Sequence, residues 1–226
     1  MPQRTTSKVR EPSPPNGASN LRLRKRIRMK QMVQKEAMRL FADKGYEQTT
    51  VDDIAHAAAM SPRTFFRYFP TKEDVVLWDE YDEQPLEKLF PLPASGDPFV
   101  WLIQQIRRSM ADLYATDPQL LLARVKLSFA IPDIRARFIN NQMTMIGPHL
   151  QQLSAAAGIR ADDLRLPVTL FALYSATMVA VERWQRNDGR DDLMRVLDDA
   201  IEALAASTAD IRDAIRAANK RTSRAR

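Results

Sequence analysis

The sequence predicts an all-α protein with a small N-terminal helix-turn-helix domain and a larger helical body. Three observations predict this fold class. Apolar residues recur at three- and four-residue spacing. Ser-Pro, Asp-Pro and Ile-Pro pairs stand where new helices would begin. No stretch alternates apolar and polar residues as a half-buried strand does. With 226 residues, of which 45% are apolar, the chain is long enough for one or two domains.

The N-terminal region divides into a polar tail and a basic block. Residues 1–21 are rich in Pro, Ser, Thr and Asn, and we expect them to be a disordered tail. The basic block at 22–30 includes Arg24, Arg26 and Arg28, which are candidates for an arm that contacts phosphates or the DNA minor groove. A solvated helix start explains the same residues equally well.

Three short helices are predicted after this block. The first spans about 28–44 and ends before Gly45, which suits the left-handed position after a helix. The second begins at Thr50, whose hydroxyl can cap it, and the third begins at Ser61-Pro62. A tight turn near Ala59-Met60 joins the second and third helices, which is the outline of a helix-turn-helix. Its predicted core is centred on Phe41, Ile54, Phe65 and Phe69.

The rest of the chain is predicted to be helical throughout. A fourth helix begins at Lys72-Glu73 and runs through Tyr81, and a loop follows at 91–98. Later helices are predicted at 98–115, 118–130, 132–157, 167–187 and 191–207. Pro148 should kink or split the helix that contains it, and Thr208 is a candidate cap for one more helix.

Composition argues against most enzyme classes, and we expect no cofactor and no metal. The chain has no Cys, two His and no two Gly residues closer than eleven positions, so thiolate chemistry and Gly-rich phosphate loops are excluded. A catalytic site of paired carboxylates is not excluded, because the sequence contains Asp162-Asp163 and Asp198-Asp199. Neighbouring carboxylates on a helix point apart, however. The longest uncharged apolar stretch, at 166–181, is too short to span a membrane. We see no signal peptide and expect a cytoplasmic protein.

Charge is distributed unevenly along the chain. Residues 1–78 hold 15 Lys and Arg against 8 Asp and Glu, a net charge of +7. Residues 79–215 carry a net charge of −6, and the basic tail at 216–226 carries +5. A basic end joined to an acidic body indicates a polyanionic partner for the basic end.

The third helix carries the side chains best suited to such a partner. If Phe65 and Phe69 face the core, then Arg63, Thr64, Arg67 and Tyr68 cannot all face it too. Arg can bond guanine with two donors, and Thr can bond a base edge or contact a thymine methyl. Tyr68 suits a phosphate or a sugar, while Lys72 and the Thr50 hydroxyl are placed for phosphates.

Residues 33–77 resemble the DNA-binding domain of the TetR/AcrR family. The resemblance rests on LF and KGY within 40–46, TTVDDIA at 49–55 and SPRTFFRYFPTKEDV at 61–75. Ala59 stands where the family commonly has Gly, which costs stability if the turn needs a positive φ. Phe66 replaces a common Tyr and is expected to pack against the sugar-phosphate backbone. The family's DNA contacts correspond to Thr50, Ser61, Pro62, Arg63, Thr64, Phe66, Arg67, Tyr68 and Lys72.

The resemblance implies a homodimer that binds a palindromic operator and usually represses transcription. It places the DNA-binding domain at 22–72 and a ligand-binding and dimerisation domain at 73–215, with the dimer formed through about 167–187 and 191–207. The body is also similar to regulators that bind acyl-CoA-like ligands, which implies a mainly apolar effector. Candidate pocket residues are Trp101, Met110, Phe138, Met143, Phe171 and Trp184, although apolar residues at helical spacing are more often plain core.

The alternative from the residues alone is a basic surface module. Residues 22–30 and the basic tail would then bind a membrane surface, or any DNA, without effector control. The first helix carries one large aromatic on its apolar side, Phe41, and the helix-turn-helix core would bury it.

Overall fold

The computed structural model describes residues 17–83, 97–157, 160 and 162–224, and these are helical with short connections. The N-terminal helices are α1 (Gly17–Lys44), α2 (Val51–Ala57), α3 (Pro62–Tyr68) and α4 (Lys72–Leu77), followed by a 3-10 turn at Glu80–Glu83. The body contains α5 (Pro98–Thr116), α6 (Pro118–Ala130), α7 (Pro132–Ala157), α8 (Arg165–Arg186) and α9 (Leu193–Arg224). The predicted fold class is confirmed within this described part.

Several predicted boundaries are wrong. Helix α1 begins at Gly17, eleven residues before the predicted start, so the last five residues of the predicted tail are helical. Residues 1–16 lie outside the described part of the chain. Helix α4 ends at Leu77 and does not reach Tyr81, because Trp78 turns the backbone to an extended conformation.

The body also departs from the predicted breaks. Pro148 does not split α7. Thr208 caps no new helix: α9 continues to Arg224, and the Thr208 hydroxyl donates to the Leu204 carbonyl oxygen at 2.8 Å within it. The alanines on both sides of Thr208 favour helix, and no Gly or Pro interrupts the chain between 193 and 224, which explains the continuity. Most of the predicted loop at 91–98 lies outside the described residues.

The first core joins the helix-turn-helix to the body. Phe41, Ile54, Phe65 and Phe69 are buried at its centre, as predicted. The same core includes Val75, Val76 and Trp78, which follow the predicted domain boundary at 72, and Ile134 from α7. The DNA-binding unit therefore rests directly on the body through shared apolar packing.

Two further cores hold the body together. One lies between α5, α8 and α9, with Leu170 and Leu197 fully buried. The other surrounds Trp184 near the end of α8, with Leu121 from α6 and Leu193 from α9. Each helix in the described part of the chain is either too short or too polar to span a lipid bilayer.

Candidate DNA-binding site

The turn between α2 and α3 closes through local backbone hydrogen bonds. The Ala59 amide donates to the His56 carbonyl oxygen at 3.0 Å, and the Met60 amide donates to that of Ala55 at 2.9 Å. Ala59 has φ +50°, in the left-handed region. The turn therefore needs a positive φ at position 59, and alanine there costs stability that glycine would retain.

Helix α3 is fixed at its start by Ser61 and buried along one side. The Ser61 hydroxyl oxygen accepts from the Thr64 amide at 3.1 Å, and Pro62 occupies the first turn. Phe65 and Phe69 are buried in the first core. On the opposite side of the helix the exposed residues are Pro62, Arg63, Phe66 and Arg67. This exposed set is called the α3 outer face below.

Two guanidinium groups dominate the α3 outer face. Neither Arg63 nor Arg67 forms an ion pair with any described residue, so both keep their donors for an outside partner. The Arg67 guanidinium lies 5.3 Å from the ring centre of Tyr68, which is half-buried. Arginine presents a planar pair of donors that matches the guanine edge in the major groove.

Thr50, which caps α2, forms more hydrogen bonds within the chain than the sequence predicts. Thr50 accepts a hydrogen bond from the Asp53 amide at 3.1 Å, and its hydroxyl donates to the Asp53 carboxylate at 2.6 Å. Lys44 also binds that carboxylate at 2.6 Å. The Lys44 hydrogen bond, followed by those from Thr50, holds the pKa of Asp53 well below its usual range. A phosphate contact by the Thr50 hydroxyl stays a prediction, and it would compete with this capping box.

Lys72 also has a structural role that sequence reasoning missed. Its ammonium donates to the Tyr46 carbonyl oxygen at 3.2 Å and lies 4.1 Å from the centre of the Tyr46 ring. The Tyr46 hydroxyl donates to Glu73 at 2.6 Å, and burial, together with this bond, raises the pKa of the Tyr46 hydroxyl. Lys72 thus ties the loop after α1 to α4, and its predicted phosphate contact remains a prediction.

The predicted basic arm is part of α1. Arg24 and Arg28 are exposed on this helix, whereas Arg26 pairs with Glu83 at 3.3 Å. Lys30, from the same basic block, is buried: it binds Glu83 at 2.6 Å and lies 5.1 Å from the Phe69 ring centre. The block therefore combines an exposed helical surface with one internal ion pair.

Helix α4 is held at its C-terminal end by polar side chains from both sides. Gln34 of α1 donates to the carbonyl oxygens of Val75 and Trp78, each at 2.8 Å. From α6, Arg124 donates to the carbonyl oxygens of Val76 at 2.8 Å and Leu77 at 3.2 Å. Since the last carbonyls of a helix lack partners within it, these two side chains supply them. This arrangement is called the α4 clamp.

The predicted pocket candidates do not line one enclosed space in this conformation. Trp101 and Trp184 are buried in different cores, and Met110 packs against both. Phe138 is half-buried, while Met143 and Phe171 are exposed. A cavity of about 80 Å³ between α1, α5 and α6 is too small for a drug-sized ligand, which needs roughly 300 Å³ or more. The pocket assignment stays a prediction.

Within the described part of the body, one buried polar atom lacks a partner. The indole nitrogen of Trp184 finds no acceptor among the described residues, although the side chain is almost fully buried. The Tyr114 ring meets this indole edge to face at 5.9 Å. Among the described residues no group of three or more His, Cys, Asp or Glu side chains could hold a metal ion.

Comparison with known proteins adds independent information on both halves of the chain. Residues 35–77 match the model described as bacterial regulatory proteins, tetR family, and residues 98–209 match the MftR C-terminal domain. The HTH-type transcriptional regulator TcmR of Streptomyces glaucescens is 33% identical over 178 residues, which cover 76% of this chain and 78% of TcmR.

Solved structures with the same arrangement of helices include two repressors. Thermus thermophilus FadR, a TetR-family repressor solved in complex with lauroyl-CoA, is 26% identical, with a TM-score of 0.51 over 78% of this chain and 93% of FadR. NalD, the secondary repressor of the MexAB-OprM efflux pump in Pseudomonas aeruginosa, is 17% identical, with a TM-score of 0.56 over 81% of this chain and 96% of NalD. The second likeness shows the fold alone.

Proposed function

Because the chain belongs to the TetR family of bacterial transcriptional regulators, we propose that it represses transcription as a homodimer on a palindromic operator. A small, mainly apolar effector releases the dimer from this DNA. The protein is a DNA-binding regulator and not an enzyme. Its action on the operator places it in the cytoplasm.

The observation that carries this proposal is the α3 outer face. Arg63 and Arg67 project from the first two turns of α3 without internal ion pairs among the described residues. The first turns of a recognition helix are the part that enters the major groove. The exposed arginines Arg24 and Arg28 on α1 add phosphate or minor-groove contacts.

An apolar stripe along α8 supports the homodimer. Leu164, just before this helix, and Val168, Phe171 and Val179 within it lie on one side at helical spacing, and all four are exposed. The small residue Ser175 lies between Phe171 and Val179 on the same side. An exposed and largely apolar stripe is typical of an interaction surface. A second copy of α8, with α9 beside it, would bury the stripe in a four-helix bundle. The two α3 helices would then be placed to reach successive major grooves, about 34–36 Å apart.

The body supports an apolar effector. FadR of Thermus thermophilus, related in sequence and fold, was solved with lauroyl-CoA. In this chain the apolar cores on either side of Met110 lie between α5, α6, α8 and α9, and the Trp184 indole offers a donor that has no partner among the described residues. An effector that binds best to a conformation with mismatched α3 helices releases the DNA, and the DNA weakens effector binding by the same factor.

Selection of genomic fragments by the purified protein, at fixed near-physiological salt, tests the proposal. Recovery of one short palindrome is the expected result, and genes beside it indicate the effector. Arg63→Ala should weaken binding to that palindrome about tenfold or more, whereas Arg39→Ala, in an exposed ion-pair cluster on α1, should leave it unchanged. If Arg63→Ala and Arg39→Ala bind the palindrome equally well, α3 does not form the DNA interface.

The exposed arginines on α1 favour a second candidate, a basic module that binds any polyanion. It would recover unrelated fragments and bind anionic vesicles as well as DNA. Co-sedimentation with vesicles containing phosphatidylserine, run beside the fragment selection, separates the two functions. Binding to the palindrome but not to vesicles supports the regulator.

A further inference from the structure

Phe66 is an exposed aromatic residue on the α3 outer face. In the helix-turn-helix at 51–69 it is the one large apolar side chain that is exposed, with 53% of its surface accessible. Its ring meets the buried Phe65 ring edge to face, with centres 5.6 Å apart and planes at 87°. Phe65 is fully buried, so this contact restricts where the Phe66 ring can lie.

The neighbouring hydroxyl groups are less available than Phe66. The Ser61 and Thr64 hydroxyls are hydrogen-bonded to each other at 2.9 Å, and the Ser61 oxygen also accepts from the Thr64 amide. The two guanidinium groups and the phenyl ring on this face form no hydrogen bond or ion pair with the described residues, although Arg67 lies over the Tyr68 ring and Phe66 contacts Phe65. Arg63 lies one helical turn before Phe66, and Arg67 follows Phe66 on the same exposed side of α3.

We propose that Phe66 is a specificity determinant that contacts the C5 methyl group of a thymine in the major groove. This inference rests on the proposed function. A phenyl ring neither donates nor accepts conventional hydrogen bonds, and the thymine methyl is the apolar group that base pairs present in the major groove. The flanking arginines attract the negatively charged DNA and bring the ring to the base edges. Burial of one methyl group against the ring favours thymine over cytosine and uracil at that position.

Uracil scanning of the operator tests this contact. The operator recovered by the wild-type protein is synthesised with each thymine replaced in turn by uracil, which removes the methyl group and keeps the base-pair hydrogen bonds. Binding is measured by fluorescence anisotropy for the wild type, Phe66→Ala, Phe66→Leu and Thr64→Ser. At one thymine in each half-site we expect uracil to weaken wild-type binding roughly fourfold.

The variants assign the loss to a side chain. Phe66→Ala should bind the thymine and uracil operators equally, while Phe66→Leu should keep part of the difference. Thr64→Ser removes the other methyl group on α3 that could face the base, and it should keep the full difference. Circular dichroism and thermal unfolding confirm that each variant is folded, as expected for an exposed position.

Two results would overturn the inference. If no uracil substitution weakens wild-type binding by more than twofold, no methyl group is read. If Phe66→Ala lowers affinity for every operator alike and keeps the uracil penalty, the ring packs on the sugar-phosphate backbone instead. Failure to recover any palindrome is a different result, because it overturns the proposed function together with this inference. A second base checks the same methyl chemistry. The thymine assigned to Phe66 is replaced by cytosine or by 5-methylcytosine, with guanine opposite, and the wild type should bind the methylated operator more tightly than the unmethylated one.

Discussion

Arg124 donates through its Nε atom to the carbonyl oxygen of Val76 at 2.8 Å, and so joins the body to the last turn of α4. The same guanidinium reaches the Leu77 carbonyl oxygen and the Asp79 carboxylate, both at 3.2 Å. On the other side, Gln34 binds the carbonyl oxygens of Val75 and Trp78. These contacts join α6 to α4, and the first core joins α4 to α3.

Removing the guanidinium should destabilise the protein. In Arg124→Met the Val76 and Leu77 carbonyl groups lose their donor in a mostly buried place, which costs about 1–3 kcal/mol. Denaturant unfolding measures the change. Arg137→Met is the matched control: Arg137 also binds α4, through Asp74 at 3.2 Å, but it is exposed, so its loss should cost less than about 1 kcal/mol. Equal losses in both variants would show that the clamp adds nothing beyond a surface ion pair.

The turn alanine gives a stabilising substitution. Ala59→Gly should raise the free energy of unfolding by about 0.5–1 kcal/mol, because the left-handed φ of +50° costs alanine more than the extra chain entropy costs glycine. Ala42→Gly, at an exposed helical position in α1, should lower it by about 1 kcal/mol. Thermal or denaturant unfolding of the two variants gives the answer. A loss of stability in Ala59→Gly contradicts the assigned backbone conformation.

The buried pair of Lys30 and Glu83 makes stability depend on pH. Burial acts to raise the pKa of the Glu83 carboxyl, but the hydrogen bond and charge of Lys30 outweigh it, so the pKa lies below its ordinary value of 4.5. A carboxyl with a lowered pKa in the folded state adds stability above its unfolded pKa. That stability is lost as the pH falls through the folded pKa.

Glu83→Gln should therefore cost the most at neutral pH. We expect a loss of about 3 kcal/mol at pH 7, because Lys30 is left buried without its carboxylate. The difference between wild type and variant should shrink as the pH falls below about 4.5, where the wild-type carboxyl takes up its proton. Urea unfolding from pH 7 to pH 3 measures this, with the exposed Glu47→Gln as the control. A difference that is constant with pH would contradict the pairing.

The helix-turn-helix could be predicted from the sequence because its signals are local. The caps at Thr50 and Ser61 act within three residues, Pro62 fixes the first turn of α3, and the spacing of Phe65 and Phe69 selects the buried face. The α3 outer face then follows by exclusion. The same local signals placed most helices of the body correctly.

The roles of Lys30, Lys72 and Arg124 could not be predicted in this way. Lys30 meets a carboxylate 53 positions later, Lys72 binds a carbonyl 26 positions earlier, and Arg124 binds one 48 positions earlier. A basic residue in a basic block suggests a solvent or phosphate contact until the fold shows its partner. The position of Lys30 alone carries a sequence signal for burial, because it lies four residues before Gln34, on the side of α1 that is buried.

The exposed stripe on α8 leads to the last prediction, which concerns the homodimer. Val168 lies in this stripe. In a two-fold interface, a glutamate at this position would lose its hydration in both protomers, at a cost of several kcal/mol. Val168→Glu should therefore be a monomer at micromolar concentration by sedimentation analysis, where the wild type is a dimer, and it should lose the selected palindrome. Val100→Glu is the matched control, because Val100 is a similarly exposed valine on α5, away from the stripe. If Val168→Glu stays dimeric, the stripe is not the interface, and a monomeric wild type would mean that the two α3 helices are brought together by the DNA alone.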